Sequence, residues 1–413
     1  MDYIVSGGNA LYGELPVYGA KNCALALLGA TALTDEEIVL TNCPQIVDVQ
    51  NMLQLLQTLG KKVWRVGDVV GVSGALNTTT VTTPLASLIR GSVLVMGSIL
   101  AKYGQIQLPL PGGCAIGSRP IDIHLDGLRK MGVDVCEQDT QVVCKGKPRC
   151  VTYKLRFPSV GATQNLICAS VLSNGKTVLK NCAIEPEIVA LERLLINMGA
   201  KISGVGSSTV TITGVSNLHT ATANVIPDRV VTATYLASVV CAGGKVTLTN
   251  CNPHHLRSFL QLVSANFPTK VYKHEIQVDV TTKASSYGVV QTAPYPRFPT
   301  DMQSLLLSMA CYASGQTTIV ENLFENRLLH NATELNKMGG NVVVDGRVAT
   351  INGSTLVGTD VFARDLRGGA GLVVAGLGAQ GQTHVHDVEH IHRGYANLAQ
   401  NLNCVGAKIH TVN

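Results

Sequence analysis

The sequence predicts an α/β protein of two domains, each an inside-out barrel in which buried helices are wrapped by sheets and outer helices. Three observations predict it. The chain has 413 residues, too many for one ordinary hydrophobic core, so two domains of similar size are expected. One unit is written six times along it, three copies to a domain. Its longest apolar runs have helical length and almost no polar face, which belongs to helices inside a domain.

Each unit reads inner helix, strand, loop, outer helix, strands. The inner helices are GAKNCALALLGATAL from Gly19, PLASLIRGSVLVMGSILA from Pro84, PSVGATQNLICASVL from Pro158, PDRVVTATYLASVVCA from Pro227, PTDMQSLLLSMACYA from Pro299 and DLRGGAGLVVAGLGA from Asp365. All six start on Pro, Asp, Ser or Gly, the residues that favour a helix N-terminus. After them come a turn, an alternating strand and a polar stop: GKTVLKNC from Gly175, GKVTLTNC from Gly244, GQTTIVEN from Gly315 and GQTHVHDV from Gly381. Looser copies are TDEEIVLTNC from Thr34 and YGQIQLPL from Tyr103. Alternation over so short a length marks a half-buried strand. The repeat is marked by a recurring phrase of Leu or Met, Gly, a small residue, Lys or a polar residue, and Val: LGKKV from Leu59, MGVDV from Met131, MGAKI from Met198, MGGNV from Met338 and VGAKI from Val405, with a weaker SANFPTKV from Ser264. These recur about every 70 residues, longer than a solenoid period but regular.

Composition excludes several function classes. Hydrophobic residues make up 46% and charged residues 14% of the chain, ample material for dry interiors. The longest candidate membrane span, Leu85 to Ala101, is broken by Arg90, which is costly in lipid. No basic segment followed by an apolar run marks a signal peptide. Twelve cysteines without a CxxC pair argue against structural zinc and a disulfide scaffold, and fit a reducing cytoplasm. The net charge of +5 is not gathered into basic runs, so no nucleic-acid partner is expected.

Polar residues concentrate where inner helices begin. Lys21 and Asn22 open the first, Asp228 and Arg229 the fourth, Asp301 the fifth, Asp365 and Arg367 the sixth, and Arg90 stands about one turn into the second. The acidic residues read as caps. Basic residues there oppose the helix macrodipole and need an anion to offset them. Helix N-termini together with Lys and Arg suit phosphate and carboxylate. The segment PLPGGCAIGSRPIDIH, from Pro109 to His124, replaces a short strand-to-helix loop with a longer glycine-rich one, in the manner of a mobile lid. Cys114 stands at its tip, and nearby Arg119 favours the thiolate. Further candidate loops are EPEI with Glu185 and Glu187, FENRLLH with Glu325, Asn326, Arg327 and His330, and HIHRGY with His392 and Arg393. His384 and His386 share a strand face, but no cysteine or carboxylate pattern completes a metal site, so none is expected.

At these residues the chain resembles the UDP-N-acetylglucosamine enolpyruvyl transferases of bacterial peptidoglycan synthesis, over essentially its full length. The motifs are GAKN (19–22), PGGCAIGSRPIDIH (111–124), PSVGAT (158–163), EPEI (185–188), FPTDMQ (298–303), FENR (324–327), DLRGGA (365–370) and HRGY (392–395). The resemblance implies one domain over residues 21–228 and a second over 1–20 plus 229–413, with a cleft that closes on substrate. It makes phosphoenolpyruvate and UDP-N-acetylglucosamine the partners, with no membrane, no obligate protein partner and no metal or organic cofactor. It implies that Lys21, Arg119 and Arg393 bind phosphoenolpyruvate and that Asn22 touches the reacting centre. Arg90, the stretch Arg119, Pro120, Ile121, Asp122 and Ile123 with His124 following, and Ser159, Val160, Gly161, Asp301 and Leu323 would hold the UDP-sugar. Arg327 and Arg367 would lie on the phosphoenolpyruvate side. Cys114 would be the proton donor that forms a covalent adduct and that fosfomycin alkylates, and Asp301 would take the hydroxyl proton.

Four positions depart from residues common in that family: Val231 and His392 replace acidic residues, Leu94 stands for Trp, and Phe157 for Lys. Two other readings share this pattern. One is the shikimate 3-phosphate enolpyruvyl transferase, which lacks the cysteine loop and differs from GAKN. The other is a UDP-sugar-binding regulatory paralogue with weak turnover.

Overall fold

The structure, a computed structural model, describes residues 1–81, 90–110 and 121–412, with the side chains of Arg90 and Gly91 excepted. These residues fall into two compact units, one of 1–18 with 227–412 and one within 19–226.

In the unit within 19–226 the inner helices are Lys21–Ala30, Met96–Tyr103 and Val160–Ser170, and the outer helices are Val47–Thr58, Asp122–Lys130 and Pro186–Asn197. The other unit has inner helices Arg229–Ala242, Gln303–Cys311 and Leu366–Gly378, with outer helices Arg257–Ser264, Arg327–Lys337 and Leu398–Asn403. Small residues explain why the inner helices can share one core. A Cβ on Gly97 would overlap the carbonyl of Asn165, and one on Gly378 the carbonyl of Cys241. Backbone therefore packs directly on backbone, and dispersion contacts are made on every side of the helix. Several buried hydroxyls in these helices donate to backbone carbonyls: Ser170 Oγ to Leu166 O and Ser238 Oγ to Thr234 O in the same helix, and Ser308 Oγ to Gly371 O in the next.

The second inner helix differs from the expected continuous run. Residues Arg90–Val95 form a 3₁₀ segment, and the α-helix starts only at Met96. The cause is a side chain inserted into the helical ladder. Asn165 donates from Nδ2 to Val93 O at 2.9 Å and accepts at Oδ1 from Gly97 N–H at 2.8 Å. Those are the two groups an α-helix would join to each other.

Among the described residues six sheets surround the helices, five of them mixed and the three-stranded one, Gln105–Pro109 with Gln141–Lys145 and Asp134–Glu137, antiparallel. The strand after an inner helix is flanked on one side by a parallel neighbour, as Lys176–Lys180 is by Thr152–Lys154 (for Gln105–Pro109 the parallel side is a single bridge, Thr80 to Gln107), and on the other by an antiparallel strand. Its polar stop is an asparagine in the left-handed region at Asn42, Asn181 and Asn250. Each donates through Nδ2 to the end of a neighbouring segment, at Val225 O, Leu155 O and Val17 O respectively. The outer helices end on a left-handed glycine such as Gly199 or Gly339, whose positive φ turns the chain into the next strand. The weak copy at Ser264 lacks that glycine and turns instead at Asn266, before a strand at Thr269–Val271. The sixth sheet is completed by the N-terminal strand Asp2–Ser6, which pairs antiparallel with both Gln382–His386 and Lys408–Val412.

Candidate active site

In the unit within 19–226, Lys21 is the first residue of its inner helix and is nearly buried. A cation there faces the positive end of the macrodipole. The charge is offset by Asp48, in the first turn of the outer helix Val47–Thr58, with Lys21 Nζ 2.6 Å from Asp48 Oδ2. Asn22 follows, half-buried.

Asp122, Ile123 and His124 open the next outer helix, with Ile121 at its N-cap position. Asp122 Oδ1 accepts from Ile123 N–H, and its other oxygen pairs with Arg156. His124 points inward. Its Nδ1 lies 2.8 Å from Asn165 Nδ2, so Nδ1 accepts and the proton sits on Nε2. Burial drives the His124 pKa down to about 4, keeping the ring neutral. A Cβ on Gly161 would come within 3.0 Å of that ring. The lack of a side chain at Gly161 thus lets His124 reach the start of the helix Val160–Ser170, capped by Ser159 Oγ accepting from Ala162 N–H. Asn165 therefore serves two ends, fixing the His124 tautomer and the 3₁₀ segment behind Arg90.

In the other unit, Asp301 does not cap its helix. It lies in the 3₁₀ turn Thr300–Met302, with no side-chain cap bond there. Its carboxylate is held by two guanidiniums, Oδ1 3.1 Å from Arg327 Nη2 and Oδ2 3.8 Å from Arg367 Nη2. Arg327 is the first residue of the outer helix Arg327–Lys337, so FENRLLH is the entry to a helix and not wholly a loop. Buried Glu321 organises the approach. Its Oε1 accepts from Leu323 N–H, Phe324 N–H and Thr292 Oγ1, and its Oε2 from Thr300 Oγ1, which itself accepts from Arg327 Nη1. Leu323 and Asp301 are thus set by one carboxylate.

Arg367 follows the cap Asp365, whose Oδ1 accepts from Arg367 N–H and Gly368 N–H. Its guanidinium lies 5.6 Å from the Tyr395 ring. Burial opposes its charge, but Tyr395, Asp301 and Asp228 together hold it more firmly protonated than a free arginine. Arg393 is half-buried at the end of the single turn Glu389–His392. In that turn His392 Nε2 lies 2.8 Å from the Tyr3 hydroxyl.

Of the residues expected at a site, the structure brings Asp301, Arg327 and Arg367 into one cluster, and His124 and Gly161 into another. Cys114, Arg119 and Pro120 lie outside the described residues, as does the side chain of Arg90. Sequence reading missed Asp48, Asn165 and Glu321. Asp48 belongs to an ordinary helix start, Asn165 to an apolar run, and Glu321 to the polar stop of a strand. All described cysteines are free thiols, and burial raises Cys168 and Cys311 to about 12, beyond reactive range.

Each unit buries a basic residue at a helix start, Lys21 in one and Arg229, Arg327 and Arg367 in the other, a placement that suits the binding of anions. The chain matches the EPSP synthase (3-phosphoshikimate 1-carboxyvinyltransferase) family over residues 5–402. It belongs to that family. Its similar relatives there include the UDP-N-acetylglucosamine 1-carboxyvinyltransferase 2 of Caldanaerobacter subterraneus subsp. tengcongensis, 40% identical over 409 residues and 98% of each chain. The UDP-N-acetylglucosamine 1-carboxyvinyltransferase of Campylobacter hominis is also 40% identical, over 418 residues and 99% of each chain. Among solved structures, the enolpyruvyl transferase NikO from Streptomyces tendae superposes with a TM-score of 0.89 at 23% identity, over 99% of this chain and 98% of that one. EPSP synthase from Acinetobacter baumannii gives 0.74 at 16%, over all of both chains. At these identities the structures establish the inside-out α/β fold. Among the described residues no helix is long and apolar enough to cross a membrane.

Proposed function

We propose that this chain transfers the enolpyruvyl group of phosphoenolpyruvate to the 3-hydroxyl of UDP-N-acetylglucosamine and releases phosphate, the first committed step of peptidoglycan synthesis. The observation that carries this reading is the 40% identity, over nearly the whole of both chains, to enzymes named for that reaction. The units of 1–18 with 227–412 and within 19–226 would be its two domains. Free thiols throughout the described cysteines fit a cytoplasmic enzyme.

In this reading phosphoenolpyruvate gains a proton at its methylene carbon, with Cys114 as donor, leaving cationic character on the adjacent carbon. The sugar 3-hydroxyl adds there while Asp301 takes its proton. The tetrahedral intermediate then gives a methyl proton back to the Cys114 thiolate as the vinyl double bond forms and the C–O bond to phosphate breaks, with Lys21, Arg119 and Arg393 stabilising the charge on the leaving group. Arg327 and Arg367 hold Asp301 as the acceptor and keep its two oxygens oriented. His124, neutral and fixed by Asn165, offers an Nε2–H donor beside Ser159, Val160 and Gly161 for the nucleotide.

The test is phosphate release from purified protein given both substrates. Release well above that of Cys114→Ala supports the reaction. Release with shikimate 3-phosphate in place of the UDP-sugar would move the chain to the shikimate branch. No release with either acceptor, but calorimetric binding of the UDP-sugar, would make it a binding protein.

A further inference from the structure

The sheet that contains the N-terminal strand carries a polar cluster that the proposed reaction does not use. His384 and His386 stand two apart on the strand Gln382–His386 and so share one face. The neighbouring strands supply carboxylates: Asp360 is the register partner of His384 on one side, and Asp2 opens the strand on the other. Sequence spacing did not show this, because Asp2 is nearly the whole chain away from the histidines.

The two imidazoles lie 4.2 Å apart between centroids and tilted by 34°, with a carboxylate on either edge. On one edge Asp360 Oδ1 is 2.8 Å from His386 Nε2 and 3.4 Å from His384 Nδ1. On the other edge Asp2 Oδ2 is 2.8 Å from His386 Nδ1 and 3.5 Å from His384 Nε2. His386 Nε2 and His384 Nδ1 thus face Asp360, while His386 Nδ1, hydrogen-bonded to Asp2, and His384 Nε2 both face Asp2. His384 Nε2 is shielded from solvent and has no hydrogen-bond partner among the described residues. Phe362, stacked 4.7 Å from the His386 ring, holds that ring in place.

A cation there would take the place of the proton that His386 Nδ1 shares with Asp2, and would give His384 Nε2 the partner it lacks. The three ligand atoms of Asp2, His384 and His386 lie within 4.8 Å of one another. Bonds of about 2.1 Å set tetrahedral ligands about 3.4 Å apart, so small side-chain rotations close the site. We propose that Asp2, His384 and His386 bind a divalent cation of the zinc, cobalt or nickel class, with Asp360 as the outer carboxylate that orients both imidazoles. Two imidazoles and one carboxylate suit these borderline metals better than magnesium or calcium, which take oxygen ligands. The ion ties the N-terminal strand to its neighbour in the sheet and has no part in enolpyruvyl transfer, so the proposal stands independently of that reading.

The experiment is a cobalt(II) titration of the chelator-treated full chain, followed by visible absorption and calorimetry. One equivalent should bind with a ligand-field spectrum lacking a thiolate charge-transfer band, which excludes the exposed cysteines Cys136, Cys150 and Cys404 as ligands. Binding should vanish in His384→Ala and in Asp2→Asn, each confirmed as folded by circular dichroism, and weaken about 10- to 100-fold in Asp360→Asn. Cobalt should raise the thermal midpoint of the unaltered chain but not of His384→Ala. Absence of stoichiometric binding, leaving a hydrogen-bonded His–Asp cluster only, overturns the proposal. Equal binding by the His384→Ala and Asp2→Asn chains overturns it too.

Discussion

Lys21 and Asp48 meet at 2.6 Å with both side chains nearly dry, so each needs the other whether or not an anion is bound. Lys21→Ala should therefore lower stability by about 3 kcal/mol as well as weaken phosphoenolpyruvate binding more than nucleotide binding. Urea unfolding and calorimetry check the two halves. Adding Asp48→Asn should recover part of the stability but none of the phosphoenolpyruvate affinity. His124 sets a pH dependence. Its folded pKa of about 4 lies below the 6.5 of an unfolded histidine, so the unfolded chain binds the extra proton first. Stability is intact above pH 6.5 and falls as pH drops toward 4, by about 3 kcal/mol from this residue. In His124→Gln that part of the decline should disappear from denaturation midpoints measured across the window. At the cysteine loop, Cys114→Asp should abolish alkylation by fosfomycin and keep measurable turnover, since a carboxyl group also donates a proton. Intact-mass measurement reads the adduct. The site residues named from the sequence announce themselves by chemistry that a bland helix start does not need: Lys21, Arg367 and Asp301 are charged where charge is costly. Asp48 and Glu321 were illegible for the opposite reason. An acidic residue in a first helical turn or at the end of a strand is ordinary, and only the fold reveals what it faces.

The inner helix and the strand that follows it are where pattern reading succeeds, since both periods, apolar all round and alternating, follow directly from burial. It failed at Arg90–Val95, where a side chain from another helix rewrote the ladder through Asn165, a long-range effect invisible to local propensity. Asparagine at the strand stop is a second case of sequence with a structural reason. Asn181 sits at φ 57° and donates to Leu155 O at 2.8 Å. Asn181→Ala should cost about 2 kcal/mol, from the left-handed backbone and the lost bond, whereas Asn181→Gly should cost about 1 kcal/mol. Thermal melts of the pair separate the two contributions. Gly378 tests the packing of the inner helices. A methyl group there meets the carbonyl of Cys241, backbone that cannot swing aside. Gly378→Ala should destabilise by about 2–3 kcal/mol in the same assay.

At the scale of the molecule, the described residues of one unit come from both ends of the sequence, 1–18 and 227–412, and those of the other all lie within 19–226. Tyr3 and Val5 bury their side chains in a sheet whose other strands come from residues 360–412. Deleting residues 1–6 should expose the edges of the strands Gln382–His386 and Lys408–Val412 and make residues 227–412 far more sensitive to limited proteolysis than residues 19–226. The same topology orders events on the ribosome. The described helices and strands of the unit within 19–226 have all been synthesised once Ile226 emerges, so they can fold while translation continues. The strand Asp2–Ser6, apolar on one face, must stay unpaired until its partners Gln382–His386 and Lys408–Val412 have been made. Loop-closure entropy grows slowly with length, so the delay costs little at equilibrium. It matters in time: a sticky strand is held open throughout synthesis, an opportunity for nascent chains on one polysome to pair with each other and a reason for a chaperone to guard it.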